Sequence, residues 1–218
     1  MEDAKFPLAA FEEIGYSAVF NGQKTYNGVA ILARSRLEDV SKNIPGYEDP
    51  QKRVIAATVS GIRVVCAYIP NGQAVASEKY QYKLQWLAAM QAYMRDTIAA
   101  YGDVALLGDY NIAPDDRDVH DPKIWEGQVL CSVPERDAFR AFIALGMVDS
   151  YRLFDQAEKS FSWWDYRMNG FKRNLGLRID HILLTPGLAA RCVSSIIDVD
   201  PRKLDRPSDH APVVADIR

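Results

Sequence analysis

Cysteine is scarce in this 218-residue chain: there are three, Cys66, Cys131 and Cys192, and no two form a C-x-x-C pair. An odd, widely spaced set argues against a disulfide framework and a thiolate zinc site. Cys66 lies in the apolar run Val64-Val65-Cys66-Ala67-Tyr68, where a buried reduced thiol is expected. Such usage suits a reducing cytoplasm. Long apolar runs are missing too, and none approaches the ~18 residues of a membrane span. The first residues, Met1-Glu2-Asp3-Ala4-Lys5, have neither the basic nor the apolar part of a signal peptide. The expected location is therefore cytoplasmic. Internal repeats and Pro/Ser linkers are also lacking, so one domain over residues 1–218 is expected.

An excess of positive charge is the last absence: 26 Lys and Arg stand against 29 Asp and Glu, a net −3. This does not exclude a nucleic-acid partner, because acidic groups that gather a metal enter the sum while the metal does not. Basic residues cluster locally at Arg34 and Arg36, Lys52 and Arg53, Lys172 and Arg173, and Arg202, Lys203 and Arg206. Each cluster alone suits a solvated loop as well as a phosphate contact.

With 48% hydrophobic residues, the chain can build a core without staples. A short helix is expected over 7–14, ended by Gly15, then strands at 18–20 and 29–33. Two β-branched runs, 54–59 and 62–69, are separated only by Ser60-Gly61, which predicts a hairpin. The longest helix is predicted over 77–100, with Tyr80, Leu84, Leu87, Ala88, Met94 and Ile98 at helical spacing and Gly102 after its end. An apolar strand follows at 104–107. Ser132-x-x-Glu135 is a capping box opening a helix that stops near Gly146. Further strands are predicted at 161–164, 178–184, 193–198 and 213–217. Hairpins mixed with two long helices point to two mostly antiparallel sheets face to face with helices outside, an α/β arrangement.

Polar residues crowd the strand ends. Tyr68 leads into Pro70-Asn71-Gly72; Asp109 and Asn111 follow Val104-Ala105-Leu106-Leu107-Gly108; Asp180 interrupts an apolar run; Asp209 and His210 precede Ala211-Pro212. A carboxylate beside an apolar strand is costly to desolvate unless a cation or hydrogen bond compensates it. Three such sites suggest one shared partner, and Mg²⁺ is the natural choice for carboxylates and a phosphate. Taken singly, each piece is weak. Asp109-x-Asn111 suits an Asx turn, Ser208-Asp209-His210 a surface turn, Tyr68 a half-buried strand aromatic, and Asp180 an ion pair with Arg178 or Arg173.

Order and combination are far more specific. Tyr68-Ile69-Pro70-Asn71-Gly72, Leu107-Gly108-Asp109-Tyr110-Asn111-Ile112-Ala113, Phe161-Ser162-Trp163-Trp164-Asp165-Tyr166-Arg167, Gly176-Leu177-Arg178-Ile179-Asp180 and Pro207-Ser208-Asp209-His210-Ala211-Pro212 together resemble the exonuclease III / abasic-site endonuclease family of DNA repair nucleases. The resemblance implies a four-layer α/β sandwich of the DNase I type, and metal-dependent hydrolysis of duplex DNA by a monomer in its complete form. Substrates would be abasic sites, incised on the 5′ side, and 3′ ends. It implies Tyr68, Asp109, Asn111, Asp180 and His210 as catalytic residues. Asp209, with Asp109, Asn111 and His210 beside it, would hold Mg²⁺ or Mn²⁺. Asn71 would touch the scissile phosphate, and Trp163, Leu177 and Ile179 would form the apolar pocket for a base-less sugar.

At its start the chain departs from the family pattern. The family opens with a Trp-Asn-x-Asn strand, a helix and a strand ending in Gln-Glu-Thr-Lys, whose glutamate is the principal metal ligand. Met1-Glu2-Asp3-Ala4-Lys5-Phe6-Pro7 resembles the stretch after that second motif, and neither motif occurs here. The sandwich is thus expected to lack its first strands, with activity impaired by the missing glutamate. Two alternatives to the nuclease reading are a shortened, non-catalytic DNA-binding or interaction module, and a phosphatase or phosphodiesterase of the same fold. The pocket residues Trp163, Leu177 and Ile179 disfavour the phosphatase reading.

Overall fold

The structure is a computed structural model and describes all residues, 1–218. In chain order its elements are α1 (Leu8–Glu13), β1 (Ser17–Asn21), β2 (Val29–Ala33), β3 (Leu37–Lys42), β4 (Val54–Val59), β5 (Ile62–Ala67), α2 (Glu78–Tyr101), β6 (Val104–Asp109), α3 (Pro122–Trp125), α4 (Val133–Ala144), β7 (Val148–Asp149), β8 (Trp163–Trp164), β9 (Gly176–Leu177), β10 (Asp180–Leu184), α5 (Pro186–Arg191), β11 (Cys192–Ile197) and β12 (Val213–Ile217). Strands β3-β4-β5-β6-β10-β7 form one six-stranded sheet. All its pairings are antiparallel except β5–β6, which α2 joins as a parallel crossover.

Two-residue periodicity builds the layers. Val54 and Ala56 point into the main core with Trp86, Leu87, Met90 and Met94 of α2 and Phe139 and Phe142 of α4. Their neighbours Ile55 and Ala57 point the other way and pack with Ile31 of β2. Further along the sheet, Ala105 and Leu184 meet Leu188 of α5 and Ile217 of β12. The face-to-face arrangement with helices outside is therefore present. On the face opposite α2 and α4 lie the two-stranded ribbons β1-β2 and β11-β12, with α5 beside the latter, and β8-β9 forms a third separate ribbon.

Several local expectations hold because short-range chemistry sets them. Ser60 and Gly61 both take positive φ, 50° and 83°, as a tight two-residue hairpin requires. The side chain of Ser77 caps α2, Gly102 with φ 73° ends it, and the Ser132–Glu135 box opens α4. Other expectations are corrected. Ala88 is exposed, and the buried stripe of α2 includes Lys83 and Trp86. Of the strand predicted over 178–184 only Asp180–Leu184 forms, as β10, because the Arg178 amide bonds to the Asp118 carbonyl; β9 is a separate short strand before it. Only Trp163 and Trp164 of 161–164 are strand, and Cys66 is half-buried. Strand β3 was not predicted. Its sequence LEDVSK is polar, it lies at the sheet edge, and its register slips between Glu38 and Ser41, all features of a protected edge.

Gly108 is the tightest point of the sheet. Its φ is 139°, and a Cβ there would lie 2.0 Å from the carbonyl oxygen of Ala67 on β5. Gly108→Ala is therefore expected to cost about 3 kcal/mol or more. Urea unfolding would check this; a midpoint shift equivalent to less than ~1 kcal/mol would show that the sheet absorbs the methyl group.

Candidate active site

The register of β6 and β10 sets the centre of the site. Asp180 stands directly opposite Asp109, two carboxylates at the same end of adjacent antiparallel strands. Like charges so placed repel, and each must find compensation. For Asp180 it is His210, whose Nδ1 lies 2.9 and 3.1 Å from the two carboxylate oxygens. Burial alone would lower the His210 pKa, but the hydrogen bond and charge of Asp180 outweigh it and raise it to about 9. The imidazolium is thus the resting form near neutral pH.

Asp109 is held by Asn111. Both the backbone amide and the side-chain amide of Asn111 donate to the Asp109 carboxylate, at 2.8 and 2.9 Å. Asn111 adopts φ 49°, a conformation asparagine tolerates well. Its own side-chain oxygen accepts from Asn71 at 2.8 Å. Loss of hydration, and then the charge of Asp180, raise Asp109 to about 7. Tyr68 follows β5 with its ring against the Arg53 guanidinium, 4.9 Å away. Its pKa is raised, first by burial and then by Asp109, so the phenol stays protonated.

The segment around β8 ties these groups together. Trp163 pairs with Leu177 on one side, and on the other Trp164 donates to the Asp209 carbonyl. Buried Ser162 accepts from the amides of Ile179 and Asp180, both at 3.0 Å, which fixes the start of β10. The Trp163 indole donates to the Asp209 carboxylate at 3.0 Å, a bond not anticipated from sequence.

Asp109, Asn111, Asp180 and His210, all expected from sequence to be catalytic, therefore fall in one region, linked by hydrogen bonds or strand register. Tyr68 stands near enough to feel the charges of Asp109, Asp180 and Asp209. Three of the other expectations change. Asp180 pairs with neither Arg178 nor Arg173. Arg178 is instead buried between Asp118 and Asp149. No three carboxylate, imidazole or thiol groups converge as metal ligands, so the set Asp209, Asp109, Asn111 and His210 is not a closed cage. The donors still suit a hard divalent ion: the charges of three carboxylates, Asp109, Asp180 and Asp209, act on His210, so the site is acidic. The third change concerns the apolar pocket. Trp163 is half-buried, but Leu177 and Ile179 are enclosed, sharing one buried cluster with Ala113, Val119, Leu130 and Cys131. Leu130 holds φ 76°, a strained conformation for a bulky side chain.

Behind the site lies a buried charge network that sequence reasoning missed. Arg178 donates to Asp118 and to Nδ1 of His181 at 2.9 Å, and His181 Nε2 lies 2.9 Å from the Ile112 carbonyl. Because arginine only donates, His181 is the neutral tautomer with its proton on Nε2. The signal was Arg178 itself, a charge inside an apolar run.

Residues 2–210 match the profile of the Endonuclease/Exonuclease/phosphatase family. Exodeoxyribonuclease III of Haemophilus influenzae is 37% identical, covering 99% of this chain and 86% of that protein. Among solved structures, the 3′ phosphatase NExo from Neisseria, bound to a product DNA hairpin, superposes with TM-score 0.98 at 47% identity. An AP endonuclease from Archaeoglobus fulgidus gives 0.96 at 41%. Both superpositions cover 100% of this chain and 85% of the other.

Two titrations test the electrostatics. Asp180→Asn is expected to lower the His210 pKa by at least about one unit, because the compensating charge is gone; the imidazole proton shift in NMR reads this, and an unchanged midpoint would mean other groups hold the proton. His181 behaves oppositely: burial, then Arg178, depress it to about 4 from 6.5. Between those values the unfolded chain binds a proton that the folded one refuses. The neutral-ring stability is complete above pH 6.5 and is lost as pH falls toward 4, about 3 kcal/mol in all. A His181→Gln variant whose stability falls as steeply as the parent between those limits would assign the loss elsewhere.

Proposed function

The chain belongs to the Endonuclease/Exonuclease/phosphatase family, and from that premise we propose that it is a DNA repair nuclease hydrolysing phosphodiester bonds at 3′ ends of duplex DNA. The single observation that carries this reading is the Asp180–His210 pair beside the Asn111-held Asp109. An imidazolium stands ready to donate to a phosphoryl oxygen, next to a carboxylate that Asn111 aligns to accept a proton from water.

Each residue then has a physical task. Asp180 orients the His210 ring and favours its charged form, so His210 stabilises negative charge developing on the phosphoryl group. Asn111 fixes Asp109 by two hydrogen bonds, and Asn71 in turn fixes Asn111. The protonated Tyr68 offers a further donor to phosphate. A groove of about 690 Å³ lined by Lys24, Arg53, Tyr68, Asn71 and Lys79 supplies positive charge for a nucleic-acid backbone. Family membership implies a divalent metal, and Mg²⁺ is proposed, with Asp209 and Asp109 as the groups to hold it. When bound, it would offset charge on the phosphoryl and leaving oxygens.

Abasic-site incision is the second reading, supported by the Archaeoglobus likeness and by Trp163, Leu177 and Ile179. The enclosure of Leu177 and Ile179 places it behind 3′-end processing. A base-less sugar needs apolar walls it can reach, and these two lie within a filled cluster.

Asp109→Asn is expected to lower kcat on a 3′-recessed duplex by about 10² or more; retention of activity would remove Asp109 from the chemistry. Leu130→Gly suits the φ of that position and uncovers the cluster. It is expected to raise incision of an abasic analogue relative to 3′ removal in a side-by-side assay, whereas an unchanged ratio would show that the cluster does not set the preference.

A further inference from the structure

Lys83 is a fully buried ammonium on the core stripe of α2, a place where a lysine is costly without compensation. Its three N–H donors have three acceptors: the Asn111 carbonyl at 2.6 Å, the Asn71 carbonyl at 3.2 Å and Glu135 Oε1 at 2.5 Å. The head group is therefore saturated. Glu135 is buried as well, and it also accepts from the amides of Leu130 and Ser132 and from the Ser132 hydroxyl at the start of α4. The Ser132 hydroxyl also bonds Tyr80, one turn before Lys83. One side chain thus joins α2, α4 and the two loops that carry Asn71 and Asn111.

We propose that Lys83 is a positioning residue for hydrolysis, clamping the carbonyls of Asn71 and Asn111 so that the Asn71–Asn111–Asp109 chain of hydrogen bonds keeps its geometry. The packing supports this and not a purely cohesive role. Both carbonyls belong to residues whose side chains meet each other at 2.8 Å, and Asn111 in turn holds Asp109. Gly72, at φ 92°, leaves room for the lysine stem: a Cβ there would come within 3.2 Å of Lys83 Cδ. A core pair needed only for cohesion could bond any nearby acceptors; this one bonds the backbones of two adjacent site residues.

The inference rests on reading Asp109 as the reacting carboxylate, and the two can fail separately. If Asp109→Asn stays active, the site assignment falls whatever Lys83 does. For the clamp, Lys83→Met combined with Glu135→Gln removes both charges, so that no lone ion is left in the core. Against a 3′-recessed duplex, this double variant is expected to lose at least about tenfold in kcat with KM within about threefold, because misplacement touches chemistry more than binding. Glu135→Gln alone is expected to keep kcat within about threefold, since even a neutral Lys83 amine has two N–H groups for the two carbonyls. Parent-like kcat in the double variant overturns the proposal, as does an equal kcat loss in Glu135→Gln alone, which would assign the effect to the α4 cap. If the double variant lacks a cooperative melt, the unmodified protein decides. The proposal expects a slowly exchanging Lys83 ammonium signal in ¹⁵N NMR, and exchange as fast as surface lysines would overturn it.

Discussion

Two carboxylates placed directly opposite each other across β6 and β10 are the constraint around which the rest of the site is organised. The register that pairs Asp109 with Asp180 is fixed by apolar residues further along the same strands, Leu106 opposite Leu183 and Leu107 opposite Ile182. Slipping the strands by one residue would relieve the repulsion but turn the core face outward. The charges are therefore accommodated by what surrounds them. His210 takes Asp180, the amides of Asn111 take Asp109, and the Trp163 indole takes Asp209. What remains is a site with more negative than positive groups, the electrostatic setting in which a divalent cation and a phosphate are bound together.

Rigidity is supplied from behind by ion pairs that the solvent does not reach. Arg178 with Asp118 and Asp149, and Lys83 with Glu135, are buried on both sides. Such pairs are weak evidence for stability, since their desolvation cancels much of their attraction. Their placement gives them another use. Arg178 lies two residues before Asp180, and Lys83 touches the backbone of Asn111. Both fix short connections that would otherwise be loops free to move, and Ser162 does the same for the entry to β10 with two amide bonds. On the proposed reading, the hydrogen bonds around Asp109 are held in place by charges less exposed than Asp180 and His210.

Much of this was legible in the sequence, for identifiable reasons. Hairpin 54–67, the caps of α2 and α4, and the polar residues at strand ends are local signals, set within a few residues by turn chemistry, capping and burial. The five motifs carried the residues that converge at the candidate site because those side chains sit at fixed offsets from strand ends. What escaped depends on contacts across long separations. β3 has no apolar alternation and exists because β4 offers it a partner. Lys83 meets Glu135 52 residues away, and Arg178 meets Asp118 60 away. In both cases the sequence did hold a clue, a charge at a position whose neighbours are apolar, but not the identity of the partner. The enclosure of Leu177 and Ile179 was hidden for the same reason, since Leu130 reaches them only in the folded chain.

One backbone arrangement is found with more than one activity, and the reason is physical. A 3′ phosphatase and an AP endonuclease superpose on this chain with TM-scores of 0.98 and 0.96, so this one arrangement is found with both activities. On the proposed reading the imidazolium, the carboxylate and the cation act on the phosphoryl group itself, whichever group it carries. What differs is the group attached to the phosphate, and the same reading assigns that group to the rim of the site. On this chain the rim beside Trp163 is occupied by side chains from the 113–131 segment, where Leu130 stays in a strained backbone conformation while its amide bonds Glu135 and its carbonyl accepts from Ala113. A strained apolar residue tethered at both backbone groups is a fixed wall and not a mobile lid. On the proposed reading, selectivity lies with loop side chains such as Leu130 and can change without moving a strand.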